Sequence, residues 1–160
     1  QPIPLLRGGG QERGLRSGTE ATAQIAAFAY AAGEGARQLE AHRAYLRQLK
    51  DYAVQTLTER VPGLTIVSPG DAPHICAVSL PGYPSQVVVR WLSDQGICVS
   101  SGSACHRGQA SHVYAAMNLS KAVRDGMLRL SFAPSNTREE IDALAQALAQ
   151  ATRQLVSMGR

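Results

Sequence analysis

The sequence contains few lysines and few aromatic residues, and its positive charge is not clustered. Its 160 residues include two lysines, Lys50 and Lys121, against 14 arginines, and aromatic side chains make up 5% of the chain. A nucleic-acid-binding protein is expected to gather basic residues on one face and to intersperse aromatic side chains for base stacking. Here the formal charge of +4 is spread along the chain without a block of five like charges. The composition therefore argues against direct binding of nucleic acid.

Long apolar runs and an even set of cysteines are also missing. No run approaches the roughly 18–20 apolar residues that a membrane span needs, and the first residues lack the basic and apolar regions of a signal peptide. Three irregularly spaced cysteines, Cys76, Cys98 and Cys105, favour a reducing compartment over a disulfide framework. We therefore expect a cytoplasmic protein that does not contact a membrane. The chain opens on PIPLL without a preceding turn or cap, so we also expect it to be part of a longer protein.

The hydrophobic pattern predicts helices packed on a small sheet. Apolar residues at helical spacing over 19–60 predict one long helix with Thr19 as its N-cap, or two helices if Gly33 and Gly35 break it. Strands are predicted at 64–68, 75–80, 97–100 and 127–132, and helices at 85–95, 111–118 and from Thr137 onward, where Thr137 and Glu140 form a capping box. This order predicts an α+β arrangement on a largely antiparallel sheet.

One cysteine lies in a run of small residues between a predicted strand and a predicted helix. Cys105 is part of VSSGSACHRG at 99–108, and such a run cannot form a packed apolar face. His106 and Arg107 next to it favour the thiolate, which is the reactive form of cysteine. A functional thiol and an ordinary surface loop fit the spacing equally well. A metal site with His106 and His112 is disfavoured, because the ligand spacings of known sites are absent.

The other two cysteines, Cys76 and Cys98, lie in apolar strand patterns and are expected in the core.

Two further features could bind anions. The glycine-rich segment GGGQERGLRSGT at 8–19 leads into the first predicted helix, where backbone N–H groups, Ser17 and Thr19 would suit a phosphate; a tight connection capped by Thr19 is an equally good interpretation. Arg129 alternates with Leu128 and Leu130 in the last predicted strand. Its guanidinium either binds a carboxylate in a bidentate manner or, as the pattern favours, extends into solvent.

Three segments in this order resemble the C-terminal part of a cysteine desulfurase, a pyridoxal-phosphate (PLP) enzyme of the class V aminotransferase type. They are GGGQERGLRSGT at 8–19, SSGSAC at 100–105, and LRLSF followed by NTREEID. The SSGSAC form is similar to the long-loop branch, which includes the iron–sulfur-cluster and nitrogen-fixation desulfurases. The resemblance implies the α/β fold of type I PLP-dependent transferases. Residues 1–25 would end the large PLP-binding domain and form a dimer-contact loop, 26–62 would be the connecting helix or helices, and 63–160 the small α+β domain.

The same resemblance implies roles for three residues. Cys105 matches the nucleophile that takes sulfur from PLP-bound L-cysteine, which leaves a persulfide on Cys105 and releases L-alanine. Arg129 matches the arginine that holds the substrate carboxylate, and Thr19 matches the threonine that reaches the PLP phosphate of the partner subunit in a homodimer. The persulfide would then pass to an acceptor such as an iron–sulfur scaffold or a tRNA-thiolation protein. His106 matches no position with a fixed role.

The chain departs from the family in one large respect. The lysine that binds PLP covalently, and most other cofactor contacts, match no position in it. Lys50 is expected on the polar side of the long helix and Lys121 among charges, so neither is expected to replace it. The chain alone is therefore expected to be inactive. Two alternatives are a sulfur-carrier module that has lost the PLP half and an enzyme that resembles selenocysteine lyase.

Overall fold

The computed structural model describes residues 3, 4, 6–68, 70–102 and 116–158, and it divides into two compact units, residues 1–40 and 41–160. The helices in the described ranges are α1 (Thr22–Arg60), α2 (Ser85–Ser93), α3 (Lys121–Asp125) and α4 (Arg138–Gln154). The strands there are β1 (Thr65–Ser68), β2 (Ile75–Ser79) and β3 (Met127–Ser131), and a 3₁₀ turn covers Gln11–Gly14. In these ranges no helix is long and apolar enough to span a membrane. The predicted helix at 111–118 lies mostly outside them.

The long predicted helix is a single helix that begins later than predicted. α1 continues through Gly33 and Gly35 without a break. The prediction that Thr19 caps it is wrong: the first intrahelical bond joins Ile25 N to the carbonyl of Ala21, at 3.0 Å. The physical reason is that the carbonyl of Thr19 accepts a hydrogen bond from Arg16 Nη1 at 3.2 Å, so the chain is still turning at this point.

The sheet in the described ranges is antiparallel in the order β1-β2-β3, with β2 in the centre. Alternate residues of β2 and β3 separate its two faces, as expected for a sheet with one face on the core. One face carries the buried Cys76, Val78, Leu128 and Leu130. α1, α2 and α4 supply the rest of this core, which includes Leu49, Leu57, Val88, Leu92, Leu144 and Leu148. The predicted α+β arrangement is confirmed.

The predicted strand at 97–100 is wrong except at its last residue. Gly96 ends the α2 segment in the left-handed region, with φ +78°, as the sequence predicted. The N–H of Ile97 then bonds to the carbonyl of Leu92 at 2.9 Å. Because the helix end takes this donor, the chain reaches the free edge of β3 only at Ser100, which pairs with Arg129.

The capping box at the start of α4 is confirmed. Thr137 Oγ1 accepts from Glu140 N at 3.4 Å, and Glu140 Oε2 accepts from Thr137 N at 3.0 Å. These bonds satisfy two backbone donors that the first turn of a helix would otherwise leave unpaired.

Candidate functional site

Arg129 lies in the middle of β3, on the face opposite the core. Its cross-strand partner in β2 is Ala77, and on its other side it pairs with Ser100. Directly opposite residues of antiparallel strands place their side chains on the same face. Ala77, Arg129 and Ser100 therefore form one row across the sheet, in which a long cationic side chain is flanked by two small residues.

The side chain of Arg129 has an unpaired donor. Its Nε is buried and has no hydrogen-bond partner among the described residues. Ala77 has no polar side-chain atom, and the hydroxyl of Ser100 bonds to Gly102 instead. A buried donor without a partner costs free energy, particularly in a charged group. This arrangement fits an anion that binds at Arg129 from outside the described residues.

A turn at Ser100 begins the segment that carries Cys105. Ser100 Oγ donates to the carbonyl of Gly102 at 2.6 Å and accepts from Gly102 N at 3.2 Å. The next residue, Ser101, accepts a 3.3 Å hydrogen bond from Gln86 Nε2 of α2. The other residues that the sequence singles out here, Cys105, His106, Arg107 and His112, lie outside the described ranges.

Residues 123–126, which follow this segment, are joined to the end of β2 by hydrogen bonds that the sequence did not predict. Ser79 Oγ, fully buried at the end of β2, donates to the carbonyl of Val123 at 2.7 Å. Leu80 N donates to the carbonyl of Gly126 at 3.0 Å. A side chain at Gly126 would overlap the Leu80 carbonyl, with its Cβ 2.7 Å from the carbonyl carbon. The sequence carried no signal for this contact, because Ser79 alternates with the apolar residues of the strand as a solvent-facing serine would.

The glycine-rich segment forms a closed loop in the first compact unit. Ser17 N donates to the carbonyl of Leu6 and Ser17 Oγ to that of Arg7, both at 3.2 Å. A side chain at Gly8 would meet Ser17 Cβ at 2.8 Å, so the closure requires glycine there. At the tip, Glu12 and Arg13 adopt positive φ values of 51° and 58°, a conformation that costs non-glycine residues energy.

The donors at the end of this loop suit a phosphate. The side chain of Thr19 is exposed, and no described residue forms a hydrogen bond with its hydroxyl. The guanidinium of Arg16 lies against the Thr19 carbonyl. A hydroxyl and a guanidinium on the same loop supply the kinds of donor that a phosphate site uses. The helix N-terminus expected to help begins three residues later, at Thr22.

The predicted site residues are divided between the two compact units, and Cys105 lies outside the described ranges. Arg129 and Ser100 belong to the second compact unit, whereas Thr19 belongs to the first. In the described ranges, no three His, Cys, Asp or Glu side chains form a group that could hold a metal ion.

The two lysines are both engaged in contacts within the protein. The expectation that Lys50 lies on a polar helix face is wrong, because it is 5% exposed. Its Nζ donates to the carbonyls of Gly70 and Ala72, at 2.9 and 2.8 Å, since the long side chain can follow the core to the loop between β1 and β2. Lys121 is exposed and bonds to Asp125 at 2.5 Å. Both ammonium groups therefore already have partners.

The two described cysteines differ in environment. Cys76 is buried as expected, and burial raises the pKa of its thiol, an effect that the positive charge of Lys50 partly offsets. The expectation that Cys98 is buried is wrong: it is exposed, because the segment around it does not join the sheet. It lines a cavity of about 290 Å³.

Comparisons with known proteins agree on one family. The model of the family described as aminotransferase class-V matches residues 7–144. A NifS/IcsS protein homolog of Lactobacillus delbrueckii is 38% identical, over 91% of this chain and 39% of its own length. A cysteine desulfurase of Gluconacetobacter diazotrophicus is 32% identical, over 91% and 37%. The human selenocysteine lyase is 35% identical, over 95% and 36%.

A solved structure is similar as well. The NifS-like protein of Rickettsia africae superposes with a TM-score of 0.78 at 26% identity, over 96% of this chain and 41% of that one. The chain spans about two fifths of the length of the curated relatives it matches.

Proposed function

Because the chain belongs to the class-V aminotransferase family, we propose that it is the C-terminal part of a PLP-dependent cysteine desulfurase. The reaction converts L-cysteine and the Cys105 thiol into L-alanine and a Cys105 persulfide. The carbon–sulfur bond of the substrate breaks, a sulfur–sulfur bond forms on Cys105, and a proton replaces sulfur on the substrate carbon. The observation that carries this proposal is the buried Nε of Arg129, which has no hydrogen-bond partner in the described part of the chain and lies on the strand that pairs with Ser100.

Arg129 would bind the carboxylate of L-cysteine. Its guanidinium presents donors in a planar fork that matches a carboxylate, and no described residue accepts a hydrogen bond from its buried Nε. The small Ala77 beside it leaves room on this face of the sheet. Binding the carboxylate would satisfy the orphaned donor and orient the rest of the substrate relative to the sheet.

Cys105 would be confined to the neighbourhood of that carboxylate. Cys105 follows Ser100 by five residues. An extended chain spans at most about 3.6 Å per residue, so the Cα atom of Cys105 lies within about 18 Å of the Cα atom of Ser100. Within this distance the thiol would attack the substrate sulfur, and the resulting persulfide would then be passed to an acceptor. His106 and Arg107 would support the thiolate that attacks sulfur.

PLP would be held at its phosphate by the end of the glycine-rich loop. Thr19 Oγ1 and the Arg16 guanidinium are the donors with the right chemistry, and we place them against the phosphate of the partner subunit in a homodimer. When bound, PLP stabilises the negative charge that develops on the substrate carbon atoms. Lys50 and Lys121 are engaged elsewhere. The lysine that binds the cofactor would therefore come from outside this chain, and the chain by itself would be inactive.

The persulfide would be passed to an acceptor protein such as an iron–sulfur scaffold or a tRNA-thiolation protein. Three irregularly spaced cysteines favour a reducing compartment, so the proposed location is the cytoplasm. The second candidate function is that of a selenocysteine lyase, which the similarity to the human enzyme favours. A sulfur-carrier module without PLP is the third interpretation. The donors around Thr19 that we assign to the PLP phosphate argue against it.

The test compares cysteine variants of the full-length enzyme. We expect Cys105→Ala to abolish persulfide formation from L-cysteine while PLP stays bound, as read by mass spectrometry and visible absorption. Cys98→Ser is the matched control, because this exposed cysteine is seven residues earlier and has no proposed role; it should retain activity. Sulfur transfer by Cys105→Ala would refute the proposal. Turnover of L-selenocysteine but not of L-cysteine by the unmodified enzyme would favour the lyase.

A further inference from the structure

Ser100 connects Arg129 to the segment that carries Cys105. Its backbone exchanges two hydrogen bonds with that of Arg129, at 2.6 and 3.3 Å. Within residues 96–102, no other described residue pairs with β3. In the backbone ladder, residues 96–102 are therefore joined to the sheet through one residue pair, and Arg129 is one of its two members.

The hydroxyl of Ser100 adds a second constraint. Oγ both donates to the carbonyl of Gly102 and accepts from Gly102 N. Such a side-chain turn replaces a backbone turn and sets the direction in which the chain continues. The hydroxyl is thereby used within the turn, and no hydrogen bond joins it to Arg129 Nε.

We propose that Ser100 is a positioning residue for sulfur transfer, an inference that rests on the proposed function. Its backbone holds the segment on the strand that presents Arg129, and its hydroxyl sets the turn from which the chain leaves toward Cys105. Removing the hydroxyl releases the turn but leaves the backbone pair and the Arg129 side chain in place. Ser100 therefore affects how the thiol meets the substrate sulfur, and not how the substrate carboxylate is bound.

The first test needs no cofactor and uses amide hydrogen exchange on the chain. Ser100→Ala should raise the exchange rate of the Gly102 amide by about 5- to 10-fold, the effect of one lost hydrogen bond, and Ser100→Thr should keep it protected. Ser101→Ala is the matched control, because its contact with Gln86 lies outside the turn. Unchanged protection of the Leu128 and Leu130 amides checks that the sheet is intact. Equal Gly102 protection in Ser100→Ala and the unmodified chain would overturn the inference.

The second test separates binding from transfer in the full-length enzyme. Ser100→Ala should lower kcat by about 10-fold and change KM for L-cysteine by less than about 2-fold, and Ser100→Thr should restore kcat. A parallel rise in KM, or a kcat equal to that of the unmodified enzyme, would refute the role. Cys105→Ala is measured alongside. If it is active, the proposed function fails; if it is inactive while Ser100→Ala is fully active, only the positioning role fails.

Discussion

Arg129 lies directly opposite Ala77 in the β2–β3 ladder, on the face of the sheet that the core does not use. Among the described residues, the buried Nε of Arg129 has no acceptor, and the methyl group of Ala77 beside it offers none. The pairing therefore keeps the guanidinium available, and a larger or acidic residue at position 77 would fill or neutralise the space.

The first prediction concerns the charge and shape of Arg129. Arg129→Ala should raise KM for L-cysteine in the full-length enzyme by about 10- to 100-fold, because charge-assisted hydrogen bonds contribute about 1.5–3 kcal/mol. Arg129→Lys should recover only part of the loss, since an ammonium cannot pair with a carboxylate in a bidentate manner. Steady-state kinetics measure both. An unchanged KM in Arg129→Ala would contradict the carboxylate role.

The second prediction concerns the two described thiols. Burial raises the pKa of the Cys76 thiol above its ordinary value of 9.0, and only the thiolate reacts readily with alkylating agents. At pH 8, iodoacetamide should label Cys98 in the native chain and leave Cys76 unlabelled until urea unfolds it. Peptide mass spectrometry distinguishes the two sites. Labelling of both at equal rates under native conditions would show that Cys76 is accessible.

The raised pKa of Cys76 makes the free energy of unfolding depend on pH. The folded state retains the Cys76 proton to higher pH than the unfolded state does. The protonated thiol therefore contributes fully to the free energy of unfolding below pH 9, and this contribution is lost as pH rises through the pKa of Cys76 in the folded state. The free energy of unfolding should therefore fall more steeply above pH 9 in the unmodified chain than in Cys76→Ala. Parallel curves for the two proteins would contradict this linkage.

The third prediction compares two glycines with opposite surroundings. Gly126→Ala should lower the free energy of unfolding by about 2–3 kcal/mol, the upper range for overpacking, because the new Cβ meets the Leu80 backbone. Gly33→Ala should instead stabilise α1 by about 0.5–1 kcal/mol, since its surroundings are open and alanine is the better helix former. Urea unfolding and helix content by circular dichroism measure the two effects. Tolerance of Gly126→Ala would contradict the close approach to β2.

The fourth prediction concerns the start of α4. Hydrogen bonds from the Asn136 side chain and then from Thr137 N lower the pKa of Glu140. The ionised Glu140 therefore contributes fully to the free energy of unfolding above pH 4.5, the ordinary pKa of its carboxyl group. This contribution is lost as pH falls through the pKa of Glu140 in the folded state. Thr137→Ala should cost about 1 kcal/mol at neutral pH, as removal of an N-cap does. Glu140→Gln keeps an acceptor without a titrating group, so it should flatten the acid limb of the stability curve. An unaltered acid limb would exclude Glu140 as its source.

Short-range patterns predicted much of the fold and part of the site. The capping box at Thr137, the left-handed stop at Gly96 and the alternation around Arg129 depend on neighbouring residues, and the structure confirms them. The roles of Cys105, Arg129 and Thr19 stay predictions, and so do the domain boundaries at 25 and 62. The errors at Cys98 and Lys50 share one cause, which is that local pattern does not specify what a side chain meets across the fold. The error at Thr19 is local, because its carbonyl bonds to Arg16 three residues earlier.

The sequence by itself determined the family and the order of α1, β1, β2, α2, β3 and α4, because these depend on periodicity, turn residues and motifs along the chain. It did not predict α3. Only the tertiary structure decided that Ala77 and Ser100 flank Arg129. It also decided that Ser79 donates a hydrogen bond to Val123, and that Lys50 donates to the carbonyls of Gly70 and Ala72. These relationships join residues that are distant in the chain. They follow from strand register and helix packing. If the register of β3 shifted by one residue, the side chain of Arg129 would turn into the core, and its charge would have neither solvent nor a partner.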